Sequence, residues 1–292
     1  MSSKYDSFEV STWNILGDRH DRQARLEIVA RELFKTDICA IQEVVFNGND
    51  NSSAHQLADL SKFELASLVP TGTSNFVSGD AQATAILSRL PVETPNMIIR
   101  APVVEGEKTL SEPQGYAGAI LKSRTNRKIF ITSIHLPWGG NQEHRRLLHL
   151  QAICSQIDEI MNNLPGDSIA ILAGDFNTIP SADSVRFLTG ERAGESSSSF
   201  WIDSWSSAGQ GDGFTVDPKV KNLNVRRTAR EMGLAKPEFM PRRRLDYIFI
   251  RGWAYGRHGS PLEATLIGES PDQNGLHASD HFGLKTKLWD PF

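Results

Sequence analysis

Cysteine is scarce in this sequence, which contains only Cys39 and Cys154, both in apolar surroundings. Buried free thiols are the predicted state of both side chains, with a disulfide as the alternative. No secretory signal is predicted either, because residues 1–7 are polar and no apolar stretch follows a charged start. Together these features predict a reducing, cytoplasmic setting for the protein.

Long apolar runs, internal repeats and linkers are absent as well. No apolar run approaches the roughly 20 residues that span a bilayer, so we predict no association with a membrane. One short low-complexity piece, the serines at 196–199, is too small to divide the 292 residues, and we expect one domain over residues 1–292. The net charge is −4, which does not by itself indicate a nucleic-acid-binding protein.

The apolar residues that are present follow both helical and strand periodicity. Helices are predicted over residues 143–164 and over residues 21–35, where one face carries Leu26, Val29, Ala30, Leu33 and Phe34. Strands are predicted over residues 8–13, 37–45, 83–88, 116–122, 128–135, 168–173, 245–251 and 281–288. Because helices and strands do not alternate strictly, this order indicates a layered α/β sandwich rather than a barrel or a parallel nucleotide-binding sheet.

Polar side chains recur where the predicted strands end. They are Asn14, Glu43, His135, Asp175, Asn177, Asp246, Asp280 and His281. Each has an ordinary structural explanation on its own, such as an Asn that binds backbone or a Glu in a salt bridge. Their combination is typical of a site where a hard cation acts on a phosphoryl group, since Mg²⁺ prefers oxygen ligands. Histidine can bind or protonate phosphoryl oxygens, and asparagine can donate to a developing oxyanion.

Six short motifs contain these residues: TWNI (12–15), IQEV (41–44), SIHL (133–136), AGDFN (173–177), RLDYIF (244–249) and SDH (279–281). In this order, with AILSRLP (85–91) between them, they resemble the motifs of the endonuclease/exonuclease/phosphatase superfamily, which includes deoxyribonuclease I and exonuclease III. The resemblance covers about residues 8 to 288. It implies a four-layer α/β sandwich of two packed mixed β-sheets flanked by helices, with the active site at one rim.

The resemblance also implies a hydrolase with a divalent metal ion, Mg²⁺ or Mn²⁺, as cofactor. Glu43 is implied as the main metal ligand, Asn14 as a neighbour of the metal or its waters, and Asp280 as a further ligand or its support. The metal would neutralise charge on the phosphoryl and leaving oxygens while water attacks in line.

Five residues are implied in the chemistry itself. Asp175 would orient or deprotonate the attacking water. Asn177 and His135 would contact the scissile phosphate and stabilise its transition state. His281 would contact the phosphate as well, with Asp246 holding its imidazole.

A strongly basic segment precedes the RLDYIF motif. Residues 219–244 contain nine basic and two acidic residues, and such a segment beside a phosphodiesterase centre suits the backbone of DNA or RNA. The predicted substrate-binding residues are Arg226, Arg227, Arg242, Arg243, Arg244 and, outside the segment, Trp138, whose ring would stack on a base. The alternatives are a solvated helix face or a partner-binding loop for the segment, and core packing for the tryptophan; core packing is preferred for Trp201 and Trp205.

A metal-dependent nuclease is therefore the predicted function, with no obligate protein partner. One alternative within the superfamily is a phosphatase or phosphodiesterase that acts on a small molecule, a lipid headgroup or a protein–DNA adduct. The tyrosyl-DNA phosphodiesterase branch has comparable TWN, QEV and SDH motifs, but its third motif differs from AGDFN. A second alternative is a family fold that serves as a binding module without catalysis, although every expected position is filled here.

Overall fold

The computed structural model describes residues 7–46, 52–73, 81–102, 115–194, 199–234, 236–252 and 256–291. Within these ranges the chain forms twelve strands: β1 Ser7–Asn14, β2 Ile38–Phe46, β3 Glu64–Thr73, β4 Ala81–Ser88, β5 Val92–Ile99, β6 Tyr116–Lys122, β7 Lys128–His135, β8 Ile169–Asp175, β9 Trp201–Asp203, β10 Asp246–Arg251, β11 Pro261–Ile267 and β12 Gly283–Trp289. The same ranges hold six α-helices: α1 Arg22–Glu32, α2 Ser53–Ser61, α3 Glu143–Asn162, α4 Asp183–Leu188, α5 Ser204–Ala208 and α6 Leu223–Glu231.

The strands form two sheets of six strands each. The first sheet has the order β11-β12-β1-β2-β4-β3, and the second has the order β5-β6-β7-β8-β10-β9. Both sheets are mixed, because β1 pairs with β2 and β7 pairs with β8 in parallel, while the other neighbours are antiparallel.

Three apolar clusters hold the layers together. One lies between the sheets and includes Val10 and Ile86 of the first sheet with Ile131 and Ile248 of the second. The second lies between the first sheet and helices α1 and α2, and the third lies between the second sheet and helices α3 and α4. The order of layers is therefore helix, sheet, sheet, helix, and the predicted four-layer sandwich is confirmed.

Two further predictions concern burial. Cys39 and Cys154 are buried free thiols, as predicted, and burial raises the pKa of each to about 12. Trp201 and Trp205 are also buried, which confirms their predicted place in the core. Among the described residues, no helix combines the length and the apolar character that a membrane span requires.

Strand direction brings the polar strand ends to one rim. Asn14 ends β1, His135 ends β7 and Asp175 ends β8. Strand β10 runs antiparallel to β8 and pairs its first residue, Asp246, with Asp175. The polar strand ends of both sheets therefore meet on the same side of the sandwich, where the candidate site lies.

Candidate active site

Asn14 lies at the centre of the site and joins two carboxylates. Its Nδ2 donates to Glu43 Oε1 and to Asp175 Oδ2, both at 3.0 Å. Its Oδ1 accepts a hydrogen bond from the backbone nitrogen of Leu16 at 3.0 Å, which fixes the orientation of the amide. Because Asn14 belongs to the first sheet and Asp175 to the second, this side chain connects the rims of the two sheets.

Asp175 is 1 % exposed and uses both carboxylate oxygens. Its Oδ1 accepts from the backbone nitrogen of Asn177 at 2.8 Å. Its Oδ2 lies 3.6 Å from His135 Nε2 and 3.9 Å from His281 Nε2. Two imidazoles therefore face the same oxygen that binds the Asn14 amide.

His281 pairs with a fully buried carboxylate. Its Nδ1 lies 2.8 Å from Asp246 Oδ2, and Asp246 is 0 % exposed. Burial alone would lower the pKa of His281, but the carboxylates of Asp246 and Asp175 outweigh it and hold that pKa well above its ordinary value. The two carboxylates therefore favour the protonated form of His281, whose Nε2 lies on the side of Asp175.

Unusual backbone conformations occur at or next to three of the site residues. Gly174 has a φ of 150°, and a Cβ atom at this position would lie 2.0 Å from the backbone oxygen of Ile134. Only glycine lets β8 approach β7 this closely one residue before Asp175. Glu43 and Asn177 have φ angles of 56° and 51°, and Glu43 falls where the pairing of β2 with β4 shifts register. Such conformations are costly for residues other than glycine and concentrate at functional sites.

The side chains of two predicted site residues form hydrogen bonds with other groups of the protein. The Asn177 amide donates from Nδ2 to the backbone oxygen of Leu136 at 3.0 Å, so it fixes the turn after β8. Asp280 Oδ2 accepts from Thr228 Oγ1 of helix α6 at 2.9 Å, and its Oδ1 lies 3.3 Å from Ser279 Oγ. Helix α6 is thereby attached to the loop that carries Asp280.

Arg25 holds the loops on which the site residues lie. It was not among the residues predicted from the sequence. It is buried and donates to the backbone oxygens of residues 15, 16, 17, 19, 20 and 278 at 2.5–3.3 Å. Burial lowers its pKa to about 10, against the opposing effect of Asp280 and Glu43. The sequence signal was its position one helical turn before Val29 on the apolar face, where a charge requires buried partners.

The first turn of helix α3 holds the loops on the other side of the rim. Arg146 donates from Nη1 to two backbone oxygens in the loop 137–139, both at 2.9 Å. Glu143 accepts from the backbone nitrogen of Ser184 at 2.7 Å and from Thr178 Oγ1 at 3.0 Å. An ion pair of 3.0 Å between Arg146 and Glu143 joins the two sets of contacts. These residues were also missed, because their partners are backbone groups distant in sequence.

Arg244 was predicted to bind substrate, but its guanidinium is not available for this. Its side chain is 5 % exposed and donates to both oxygens of Asp203, at 2.9 and 2.7 Å. A charge buried in this way is usually retained only in a pair with an opposite charge. We therefore correct the prediction and remove Arg244 from the substrate-binding residues.

The other predicted substrate-binding residues differ in exposure and partners. Arg242 pairs with Asp217 at 2.7 Å, and Arg227 pairs with Asp21 at 3.3 Å. Arg226 is exposed on helix α6, and Trp138 is 56 % exposed on the loop after β7. Arg243, at an isolated bridge just before β10, is half-buried.

The carboxylates offer two positions for a cation. One oxygen each of Asp175 and Asp246 and one ring nitrogen of His281 lie within 4.8 Å of one another. However, the raised pKa of His281 favours its protonated form, in which both ring nitrogens are donors. The second position is beside Glu43 and Asp175, whose oxygens converge on Asn14 and are the hard ligands that Mg²⁺ prefers. Asp246 Oδ1 is buried without a hydrogen-bond partner among the described residues, which is typical of a rim that completes its bonding with a further group.

Residues 11–281 match the model of the Endonuclease/Exonuclease/phosphatase family. The chain therefore belongs to this family, whose members hydrolyse phosphate esters. The match includes every motif that the resemblance was based on, from TWNI to SDH.

Solved structures with the same fold include three from different organisms. Truncated Caenorhabditis elegans TDP2 is 20 % identical, with a TM-score of 0.66 over 97 % of this chain and 98 % of that chain. D. rerio TDP2 complexed with a single-strand DNA product is 22 % identical, with a TM-score of 0.69 over 97 % and 98 % of the two chains. A family protein from Leptotrichia buccalis is 18 % identical, with a TM-score of 0.65 over 96 % and 99 %. At these identities the similarity establishes the fold, and no curated protein sequence matches the chain.

Proposed function

We propose that this chain is a divalent-metal-dependent phosphodiesterase, built as one catalytic domain, that cleaves DNA or RNA by in-line attack of water. The observation that carries the proposal is the double hydrogen bond of Asn14 to Glu43 and Asp175, beside the His281–Asp246 pair. Oxygen ligands, a fixed carboxylate and a charged donor are thereby brought together at one rim. The buried free thiols support the further expectation of a reducing, cytoplasmic setting.

A bound Mg²⁺ or Mn²⁺ ion would supply a Lewis acid that neutralises charge on the phosphoryl and leaving oxygens. Glu43 would hold this ion, with support from Asp280. Asn14 keeps Glu43 in place through its amide, because its Nδ2 is shared between Glu43 and Asp175.

The remaining roles fall to residues of the second sheet and to His281, which precedes β12 of the first sheet. Asp175 is fixed by hydrogen bonds on both oxygens, which suits a base that orients the attacking water. His281 donates through Nε2 to a phosphoryl oxygen and stabilises the negative charge of the transition state, while Asp246 holds its Nδ1. His135 contacts the phosphate beside Asp175, and Asn177 fixes the Asp175 carboxylate through its backbone nitrogen.

A nucleic-acid substrate is supported by the groups around the rim. The basic segment adjoins the site through the Thr228–Asp280 hydrogen bond, and Arg226 is exposed on the same helix. Trp138 offers an exposed ring on the loop after β7 for stacking on a base. The D. rerio TDP2 structure contains a single-strand DNA product, and the shared fold adds support by analogy.

The test is hydrolysis of single- and double-stranded DNA and RNA, and of bis(p-nitrophenyl) phosphate, with Mg²⁺, with Mn²⁺ and with chelator. We expect metal-dependent cleavage that falls by about 100-fold in Glu43→Gln. Glu64→Gln is the matched control, because Glu64 is exposed at the start of β3, where the pairings through Ser88 and Ile38 place it at the other end of the sheet.

Three outcomes would change the proposal. Cleavage that survives chelation or Glu43→Gln would contradict the role of the metal. Hydrolysis of the small ester without cleavage of any polymer would move the substrate to small phosphoesters or protein–DNA adducts. No hydrolysis of any substrate would favour the binding module.

A further inference from the structure

Three consecutive arginines precede β10, and their partners differ. Arg242 pairs with Asp217 and Arg244 pairs with Asp203. Arg243 has neither an ion pair nor a hydrogen bond from its side chain among the described residues, and its Nε is buried. A buried donor that bears charge is costly to leave unpaired. Arg243 is therefore available to a partner outside the described residues.

Backbone contacts fix Arg243 at the rim. Its N–H and C=O exchange two hydrogen bonds with Val216, both at 2.9 Å. Two residues further along, the backbone oxygen of Leu245 accepts from the Phe176 nitrogen at 2.9 Å. Residues 243–245 consequently run beside the turn that follows Asp175.

The charge of the site affects the side chain of Arg243. Burial lowers the pKa of Arg243, and the negative charge of Asp175 opposes this effect. Yet no ion pair joins the two groups within the described ranges. A positive group therefore lies within electrostatic range of the carboxylate proposed to orient water, and its donors bind neither Asp175 nor another acceptor among the described residues.

The site needs an additional cation of this kind. The rim holds four carboxylates, those of Glu43, Asp175, Asp246 and Asp280. Of the two cations already described, Arg25 donates to backbone oxygens, and the charge of His281 is offset by Asp246, which leaves only its Nε2 for a phosphoryl oxygen. An anionic phosphate ester that approaches these carboxylates is repelled unless fixed positive charge meets it.

We propose that Arg243 binds a non-bridging oxygen of the phosphoryl group that undergoes hydrolysis. This makes it a catalytic residue, whereas the exposed Arg226 attracts the substrate as a whole. The inference rests on the proposed phosphoesterase function and adds to it a specific ligand for the reacting phosphate. A guanidinium suits this task because it stays charged and presents fixed donors where negative charge develops.

The kinetic test compares Arg243→Gln and Arg243→Lys with the parent protein on bis(p-nitrophenyl) phosphate and Mg²⁺. Arg251→Gln is the matched control, because Arg251 is the last residue of β10, the strand that follows Arg243, and pairs with Asp158 at the surface. We expect kcat to fall by about 100-fold in Arg243→Gln, with KM raised by no more than about tenfold. Arg243→Lys should recover part of kcat, and Arg251→Gln should match the parent.

A merely structural arginine would give a different result. Arg243→Gln removes an unpaired, half-buried charge, so its thermal unfolding midpoint should equal or exceed that of the parent. A lower midpoint accompanied by lost activity would overturn the inference. An unchanged kcat in Arg243→Gln would also overturn it, and would leave the proposed function intact.

Binding of inorganic phosphate to the metal-free protein, measured by calorimetry, separates the inference from the proposed function. We expect affinity about tenfold weaker in Arg243→Gln than in the parent, even if the parent hydrolyses no ester. Equal affinity in the two proteins would overturn the inference. If neither protein binds phosphate, the kinetic result decides, and a parent that neither binds phosphate nor hydrolyses an ester overturns both claims.

Discussion

Replacing Arg244 by methionine removes one partner of a buried ion pair at the start of β10. In the parent protein both side chains of the pair are 5 % exposed, and Arg244 Nη1 donates to the two oxygens of Asp203 at 2.9 and 2.7 Å. The guanidinium also lies over the Tyr247 ring, 4.7 Å from its centroid. Arg244→Met leaves Asp203 buried without its counter-ion, a change that generally costs about 3–5 kcal/mol.

The lower end of this range, about 3 kcal/mol, is expected here. Asp203 keeps other donors, because its Oδ1 accepts from the Trp205 nitrogen at 3.0 Å and its Oδ2 from Ser206 Oγ at 2.8 Å. The carboxylate is therefore not stripped of all its hydrogen bonds. For a chain of 292 residues the loss corresponds to a fall in Tm of about 5 °C.

The assay is thermal and urea unfolding of the parent, Arg244→Met and Arg251→Gln, followed by hydrolysis of bis(p-nitrophenyl) phosphate well below the Tm. Arg251 and Asp158 form a surface pair with side chains 35 % and 50 % exposed, so Arg251→Gln should stay within about 1 kcal/mol of the parent. Folded Arg244→Met should keep kcat within about threefold. A variant that keeps the Tm of the parent and loses activity would refute the structural role. It would indicate instead that Arg244 binds substrate.

Three further substitutions test other features of the site and its supports. Gly174→Ala places a Cβ 2.0 Å from a backbone oxygen of β7, so urea unfolding should show a loss of about 3 kcal/mol or more, whereas Gly166→Ala, which meets nothing within 4 Å, should not. Asp246→Asn removes a carboxylate that raises the pKa of His281, so this pKa should fall in an NMR titration. As pH rises, His281 should then lose its proton, and the enzyme its activity, at a lower pH than in the parent. An unchanged pKa would contradict the pairing. Burial, helped by a nearby arginine, lowers the pKa of His149 from 6.5 to about 4, so the unfolded chain binds the proton first as pH falls. Stability should therefore drop by about 3 kcal/mol between those two pH values, and a His149→Gln variant with an equally steep drop would argue against this cause.

The central strands could be predicted from the sequence, and the edge strands could not. Strands β6 and β7 have the predicted bounds, because each is a mostly apolar segment that lies inside the second sheet. The four edge strands, β3, β5, β9 and β11, were all missed. Three of them contain proline, at Pro70, Pro95 and Pro261, and their pairings shift register. Edge strands tolerate proline and polar residues because one side makes no ladder hydrogen bonds, so they carry a weak sequence pattern.

The predicted face of the first helix was wrong at one residue for a related reason. Phe34 was placed with the apolar residues, but it is 75 % exposed. The α-helix ends at Glu32 and a 3₁₀ turn follows over Leu33–Lys35. The change from 3.6 to 3.0 residues per turn rotates later side chains away from the face that the α-helical period predicts.

The site residues were predictable as far as strand polarity determines them. Asn14, His135 and Asp175 lie at the ends of strands that the sequence located, so their meeting at one rim follows from sheet direction. The partners of the arginines were not predictable in this way. Asp203 lies 41 residues from Arg244 along the chain, within an edge strand that was itself missed, so no local pattern connects the two.

This difference changes how the basic segment acts on a substrate. Its nine basic residues suggest a broad positive surface, but Arg227, Arg242 and Arg244 are paired with aspartates outside it. The positive charge available to a substrate is therefore smaller than composition indicates. Its members also differ in how deeply they are buried. An exposed arginine on α6 acts through water, which weakens its attraction, whereas a half-buried guanidinium near Asp175 acts through a medium of lower dielectric constant. A chain of net charge −4 can thus hold a polyanion at its reacting phosphate through a few well-placed cations, without a globally positive surface.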